Sequence, residues 1–267
     1  MSKKQEKQEK ELEVKNQTTE MTTSSSLDYS GNEEADASDI IVPRILLMQG
    51  TSKWVPETFN MGEIIDSVEE KVLAKKGATL KILPFIMKKT WEVFTQEQPP
   101  AWLRSEKWNA ANDQLDWKFE EEDPDRGTID CFRQRNYGFY CFVLEEDGSI
   151  DEFAIPSLIN FRSASGFKEG KKIASWFARM KSMNKPGFTV TWNITTETVK
   201  ESDKSYQKFI VKRGETATEE QQKAVMKWLD LFATQAQKIK DHDVDDAADA
   251  TATGPVQSGE VQQQAQF

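Results

Sequence analysis

Histidine is nearly absent: the single imidazole of this 267-residue chain, His242, sits in an acidic C-terminal stretch. Ser-His-Asp, Cys-His and histidine-based metal schemes need an imidazole beside their nucleophile or metal, so those designs lack their central part. Cysteine is scarce too. Cys131 and Cys141, the only two, cannot fill a four-ligand zinc site; they lie ten apart in what reads as strand-turn-strand, where a disulfide is possible, but one bridge is no framework and reduced thiols are expected. Neither a GxxxxGK loop followed by Ser or Thr nor a GxGxxG turn occurs, which removes the common phosphate cradles. A magnesium nuclease needs only Asp, Glu and Lys, and Asp151 with Glu169, Gly170 and Lys171 could be forced into one. Yet Glu169 and Lys171 fall at a helix start and not on the strand that such a site wants. The expectation is a protein that is not an enzyme and uses no metal or cofactor.

Long apolar runs are missing as well. No stretch approaches the roughly eighteen apolar residues needed to span a membrane. The opening MSKKQEKQEKELEV has no apolar core for a signal peptide. A soluble cytoplasmic protein with no membrane partner is expected. Residues 1–39 are rich in Lys, Glu and Gln and then in Thr, Ser and Asn, a composition that cannot offset its own ordering entropy. From Asp241 the chain carries six acids and no Lys or Arg. Both segments are expected to be disordered tails, at 1–39 and 241–267, around one folded domain at 40–240.

Within 40–240 the apolar residues are sorted by period. Ile40–Met48 is a short apolar run interrupted by Pro43, and Ala78–Met87 is a strand whose Pro84 favours an edge or a bulge; Trp91, Val93 and Phe94 extend it. No helical or strand period survives from Gln96 to Asp130, which reads as an excursion loop. Asn136–Phe153 gives two apolar runs joined by Glu-Asp-Gly, a hairpin signal. Phe188–Val199 alternates apolar with Thr and Asn, and Tyr206–Val211 pairs with it as a second hairpin. Two helices complete the set. Phe167–Met183 puts Ile173, Trp176, Phe177 and Met180 on one face, read as core and not as base platforms, and Thr218–Lys240 opens on a capping box of Thr-Glu-Glu-Gln. The expected fold is α+β and mainly β: an OB-like antiparallel small barrel or curved sheet with two helices.

Charge is sorted more sharply than hydropathy. From Asn160 to Arg213 there are twelve Lys and Arg against four acids, in a chain of formal net charge -10. A local basic surface between acidic flanks implies a polyanionic partner. Binding single strands without sequence preference needs cations that follow a phosphate track and flat side chains on which any base can stack. Arg162, Lys168, Lys171, Lys172, Arg179, Lys181 and Lys185 cluster on and around the first helix, while Lys200, Lys204, Lys208, Lys212 and Arg213 decorate the second hairpin with Trp192 and Tyr206. Trp192 shares a strand face with Phe188, Val190 and Ile194, where it is either core or a base platform. The same theme recurs more weakly in Lys88, Lys89 and Trp91, and in Arg133, Arg135, Tyr137 and Tyr140. An acidic tail carrying Asp241, Asp243, Asp245, Asp246 and Asp249, ending at Phe267, would compete intramolecularly for such a surface and be released to partners when the surface fills.

The order of parts resembles single-stranded DNA-binding proteins encoded in bacteriophage replication and recombination gene clusters. The matching words are IVPRILLMQGTS with a following Gly62, KILPF before Trp91, FVLEEDG, the Ser/Lys-rich helix, GFTVTWNITTETV and KSYQKFIVKRGE. They extend from about Ile41 to Ile239. The resemblance implies an OB-like core that coats single strands in a host cytoplasm and engages phage or host replication and recombination proteins through an acidic tail with a terminal aromatic. Here neutral QQQAQ separates Phe267 from the acids, unlike the compact acidic tip of bacterial single-strand binders. Two alternatives stay open: a strand-annealing or recombinase-loading protein, and a non-enzymatic protein-interaction or virion component. DNA-versus-RNA preference and self-association are not legible.

Overall fold

The computed structural model describes residues 41–235, apart from 53, 56, 98, 99, 202 and 203. Both expected tails, with Asp241, Asp243, Asp245, Asp246, Asp249 and Phe267, lie outside the described residues. The strands are β1 (Arg44–Leu47), β2 (Ile64–Asp66), β3 (Val72–Ala74), β4 (Leu80–Thr95), β5 (Trp102–Lys107), β6 (Lys118–Asp123), β7 (Gly127–Val143), β8 (Ser157–Phe161), β9 (Val190–Glu201) and β10 (Lys204–Thr216). The helices are α1 (Ser163–Ser182) and α2 (Glu219–Gln235). The fold is α+β and mainly β, one sheet in the order β10-β9-β4-β7-β8-β1-β2-β3, with β5 added to β4 and β6 to β7. All pairings are antiparallel except β1 with β8, so the sheet is mixed and not purely antiparallel.

Two long strands organise everything else. β4 and β7 stay paired from Ile82↔Val143 to Thr95↔Cys131. Their body halves also pair with β9 and β8, and their far halves with β5 and β6. Pro84 sits at the register shift of this ladder, beyond Ile82, where pairing with β9 ends. A residue with no N–H to donate is tolerated at such a bulge. On one face of the body Ile82, Phe139, Ile159, Phe161, Ile173 and Ile194 are fully buried and form the main core. On the other, Leu83, Phe85, Phe142 and Leu144 are covered by Val225 and Trp228 of α2.

The sheet curls without closing its ladder. β10 ends the strand order, yet Gln49, just past β1, reaches its free edge: its amide nitrogen donates to Gln207 O at 2.9 Å and its Oε1 accepts from Gln207 N at 2.9 Å. A side-chain amide has the donor and acceptor of a peptide group, so it substitutes here for one rung of a missing strand. Four residues further on, Glu169 Oε2 accepts from Val211 N at 2.6 Å and Lys172 Nζ donates to Val211 O at 3.3 Å. Gly62 lies at the same seam with φ +92, and a Cβ there would meet Lys76 Cγ at 2.9 Å and Gln207 Oε1 at 3.1 Å; only glycine fits. The closed-barrel form of the expectation is therefore not realised, whereas the curved sheet is.

Three local expectations change. Residues 96–130 are not an excursion loop: β5, a single 3-10 turn at Ala110–Asn112 and β6 pair on the projecting ends of β4 and β7 as a four-stranded lobe. The Glu-Asp-Gly turn forms, with Gly148 N donating to Glu145 O at 2.9 Å. Beyond the Glu145 N to Ser149 O bond across the turn, the run after it forms no strand, because Asp151 Oδ1 takes the Phe153 amide into a second turn and leaves Phe153 83% exposed. The antiparallel partner of β7 is instead β8. Cys131 and Cys141 lie on one strand, not across a turn; ten residues at about 3.3 Å each put them roughly 33 Å apart, too far to bridge. Both are free and buried, and burial raises both thiol pKa values. The second hairpin and both helices form, but α1 starts at Ser163, four residues before Phe167, so that Glu169 and Lys171 lie in its second and third turns and not at its start. The 236–240 end read for α2 lies outside the described residues. At the start of α2, Thr218 N donates to Gln221 Oε1 and Gln221 N to Thr218 Oγ1, the expected capping box.

Gln49→Ala strips two backbone groups of β10 of their partners. A loss of about 1–3 kcal/mol in urea unfolding is expected; an unchanged midpoint would mean that the seam does not hold the sheet.

Candidate nucleic-acid interface

α1 separates its residues by period. Gly170, Ile173, Phe177 and Met180 face the sheet, Gly170 so closely that a Cβ would stand 2.6 Å from Phe161 Cβ. Lys168, Lys171, Lys172, Ser175 and Arg179 recur at spacings of three, one, three and four on the opposite face, and all are exposed. Glu169 is the one acid of the helix. Its carboxylate is committed to Val211 N and to Lys172, 2.6 Å away. Among the described residues, Lys168, Lys171, Arg179, Lys181 and Lys185 make no ion pair. The strand β10 adds Arg213 to this surface: it is exposed and lies 5.2 Å from the Trp176 ring centroid, with Arg179 6.0 Å from the same ring. Lys212, also exposed, points to the opposite side of the strand from Val211 and Arg213, away from the α1 face. Trp176 is half-buried and donates from Nε1 to Gly187 O at 3.1 Å, which fixes its plane beside the two guanidiniums. Arg162, half-buried, precedes the helix as its N-cap without a side-chain capping bond.

The other end of the β9–β10 hairpin is a separate place. Arg213 and Tyr206 are seven residues apart on β10, about 23 Å. Tyr206 is half-buried, Lys208 pairs with Glu197 at 3.4 Å, and Lys204 begins the strand. Trp192 does not join them. It is 4% exposed among Val190, Ile194 and Val211, because its strand face is the inner one, so it offers no plane to a base.

The weaker candidates divide between the two faces of the β4–β7 ladder, since neighbours along a strand point to opposite sides. Lys88 turns to the side of Tyr140, donating to its hydroxyl at 2.8 Å. Lys89, Trp91, Arg135 and Tyr137 lie on the other side, where Lys89 Nζ is 5.1 Å from the Trp108 ring and Arg135 is 5.1 and 5.3 Å from the rings of Trp91 and Trp108. Arg133 lies further along that face, 4.0 Å from the Phe119 ring. Trp91, Tyr137 and Tyr140 are buried, with at most 5% exposure, so none is an open stacking platform. Burial raises the Tyr137 phenol pKa, against the opposing effect of Arg135, and it stays neutral.

Sequence reasoning missed Trp108 and Phe167 and set Trp176 aside as core. Trp108 lies in what reads as loop, yet its ring meets Tyr137 at 5.3 Å and Phe167 at 5.7 Å, and Phe167 stacks on Tyr137 at 4.8 Å. These contacts run the Lys89–Arg135 group into the start of α1, next to Lys168. The available signal was the Phe-Lys pair 167–168, cationic and aromatic at once. Among the described residues no group of three or more His, Cys, Asp or Glu side chains could hold a metal ion, and no helix is long and apolar enough to cross a membrane.

The family model of the Pam3 phage gp34-like protein matches residues 7–238 of the chain. No curated protein and no solved structure matches it.

Glu169→Ala leaves Val211 N–H without its acceptor and Lys172 without its counter-charge. It is expected to cost about 1–3 kcal/mol in urea unfolding, whereas Lys171→Ala, on the open face, stays within about 0.5 kcal/mol. Equal effects would mean that Glu169 does not seat the helix.

Proposed function

The chain belongs to the Pam3 phage gp34-like family, and from that premise we propose that it is a sequence-nonspecific single-stranded DNA-binding protein of phage replication or recombination, acting by binding and not by catalysis. The observation that carries this is the α1 stripe. A protein of formal net charge -10 leaves Lys168, Lys171, Arg179, Lys181 and Lys185 exposed and without ion pairs among the described residues, with Arg213 beside them. Neutralising phosphates with such side chains releases condensed counterions, a favourable and sequence-independent term. Trp176 between Arg179 and Arg213 adds a ring on which a base can stack at the edge of the track.

The strand path is compatible with this use. β4, β7 and β8 form a meander, α1 follows, and the β9–β10 hairpin returns so that β9 pairs with β4. That succession supports the OB-like reading, since OB folds, which bind oligonucleotides, follow a Greek-key path with a helix before the last two strands. In this protein β1 stands beside β8 and the seam at Gln49 replaces ladder closure. The acids of residues 241–267 act, in the same proposal, as a tethered competitor for the stripe and as a contact for replication or recombination proteins.

Fluorescence anisotropy of a labelled oligo-dT, with a duplex of equal length as control, tests this. Binding that discriminates against duplex, with a log-log salt slope near -3 for about four or five phosphate contacts, is expected. Lys168→Glu with Lys171→Glu should weaken it by roughly tenfold or more at low salt, and removal of 241–267 should tighten it. No binding at low salt, with or without 241–267, would contradict single-strand binding and leave a virion or protein-docking component. Acceleration of complementary-strand pairing would instead identify an annealing protein on the same surface.

A further inference from the structure

The loop between β5 and β6 places a carboxylate where the cation–aromatic group of the ladder is best equipped to hold an anion. Asp113 Oδ1 accepts a hydrogen bond from Trp108 Nε1 at 2.7 Å and lies 3.2 Å from Arg135 Nη2, which also donates to Asp113 O at 2.5 Å. The same guanidinium lies 5.1 Å from the Trp91 ring and 5.3 Å from the Trp108 ring. An indole N–H, a guanidinium and flanking aromatic rings suit a phosphodiester oxygen with a neighbouring base as well as they suit a carboxylate.

Resting on the single-strand reading, we propose that this is a second contact site for the nucleic-acid backbone, occupied in the free protein by Asp113 as an internal anion that an incoming phosphate displaces. Position supports it. Trp108 touches Phe167, and Lys168 follows immediately, so a strand lying along the α1 stripe reaches Arg135 across Phe167 without leaving positive surface.

The loop is also built to yield. Of the described side chains from Asn109 to Trp117 none is buried, and Leu115 and Trp117 are 41% and 51% exposed. What holds it is polar: Trp91 Nε1 donates to Asn112 O at 3.1 Å and Asn112 Nδ2 to Lys107 O at 2.7 Å, besides the Asp113 contacts. Segments with few buried apolar contacts open at low cost. Opening frees Arg135 and the Trp108 N–H, and uncovers Trp91. The loop is thus an intramolecular competitor whose effective concentration sets how readily the site fills.

Asp113→Asn is nearly isosteric and removes only the charge; Asp116→Asn makes the same charge change three residues away, on an exposed side chain. In oligo-dT anisotropy at low salt, Asp113→Asn is expected to tighten binding by roughly threefold to tenfold. Asp116→Asn should stay within about twofold of wild type, and Arg135→Gln added to Asp113→Asn should abolish the gain. If wild type binds but Asp113→Asn gains nothing, or gains no more than Asp116→Asn, the internal-anion site is wrong and the α1 stripe stands alone. Failure of wild type and Asp113→Asn alike to bind would overturn the single-strand reading and this site with it.

Discussion

The antiparallel ladder of β4 with β7 is the constraint on which the rest depends. At 16 and 17 residues these strands are about three times the usual length, and they run through the body and out beyond it. In the body the ladder is buried on both faces, by the core under α1 and by α2. Beyond the body it offers two open edges, which β5 and β6 pair and cover. The strict alternation of a strand then assigns each cation to a side. Lys88 goes with Tyr140 and Lys89 with Trp108 and Tyr137, a division that no choice of rotamer can undo.

Electrostatics and fold closure meet at Glu169. Its carboxylate caps an edge amide of β10 and holds Lys172, whose ammonium also reaches the Val211 carbonyl. The only acid of α1 is thereby consumed in seating the helix, and the remaining charges of its outer face are positive. Gln49 seals the same strand edge further along. An edge that could template pairing with another chain is thus blocked by side chains, and the device that blocks it also orients the cationic stripe.

The parts legible in the sequence were those whose period and local chemistry agree. The β9–β10 hairpin alternates Val190, Trp192 and Ile194 against Thr; α1 and α2 carry helical spacing, and Thr218 with Gln221 form a real capping box. The lobe was not legible, because β6 alternates Phe119 and Glu121 with Lys118, Glu120 and Glu122, and so shows no apolar period. Its pairing is templated by β7, and Arg104 crosses the lobe to Glu121 at 2.7 Å, a contact that spacing does not reveal. The Asp-Gly signal at 147–148 named a turn correctly but not its partner strand, since Asp151 turns the chain again before β8 begins. Of the candidate residues, the basic side chains of α1 share one exposed face and Arg213 of β10 stands beside it, while Lys212 points to the other side of its strand. Trp192 does not join them, because alternation on β9 turns it inward; the contribution of Trp108 depends on tertiary contact alone.

Lysine acetylation footprinting of the full chain with and without oligo-dT, read by mass spectrometry, asks which cations the strand covers. Binding on the α1 stripe protects Lys168, Lys171, Lys181 and Lys185, with Lys75, Lys76, Lys223 and Lys227 labelled equally in both states. Uniform labelling of the α1 stripe while oligo-dT is bound, or protection confined to lysines elsewhere on the protein, would contradict it.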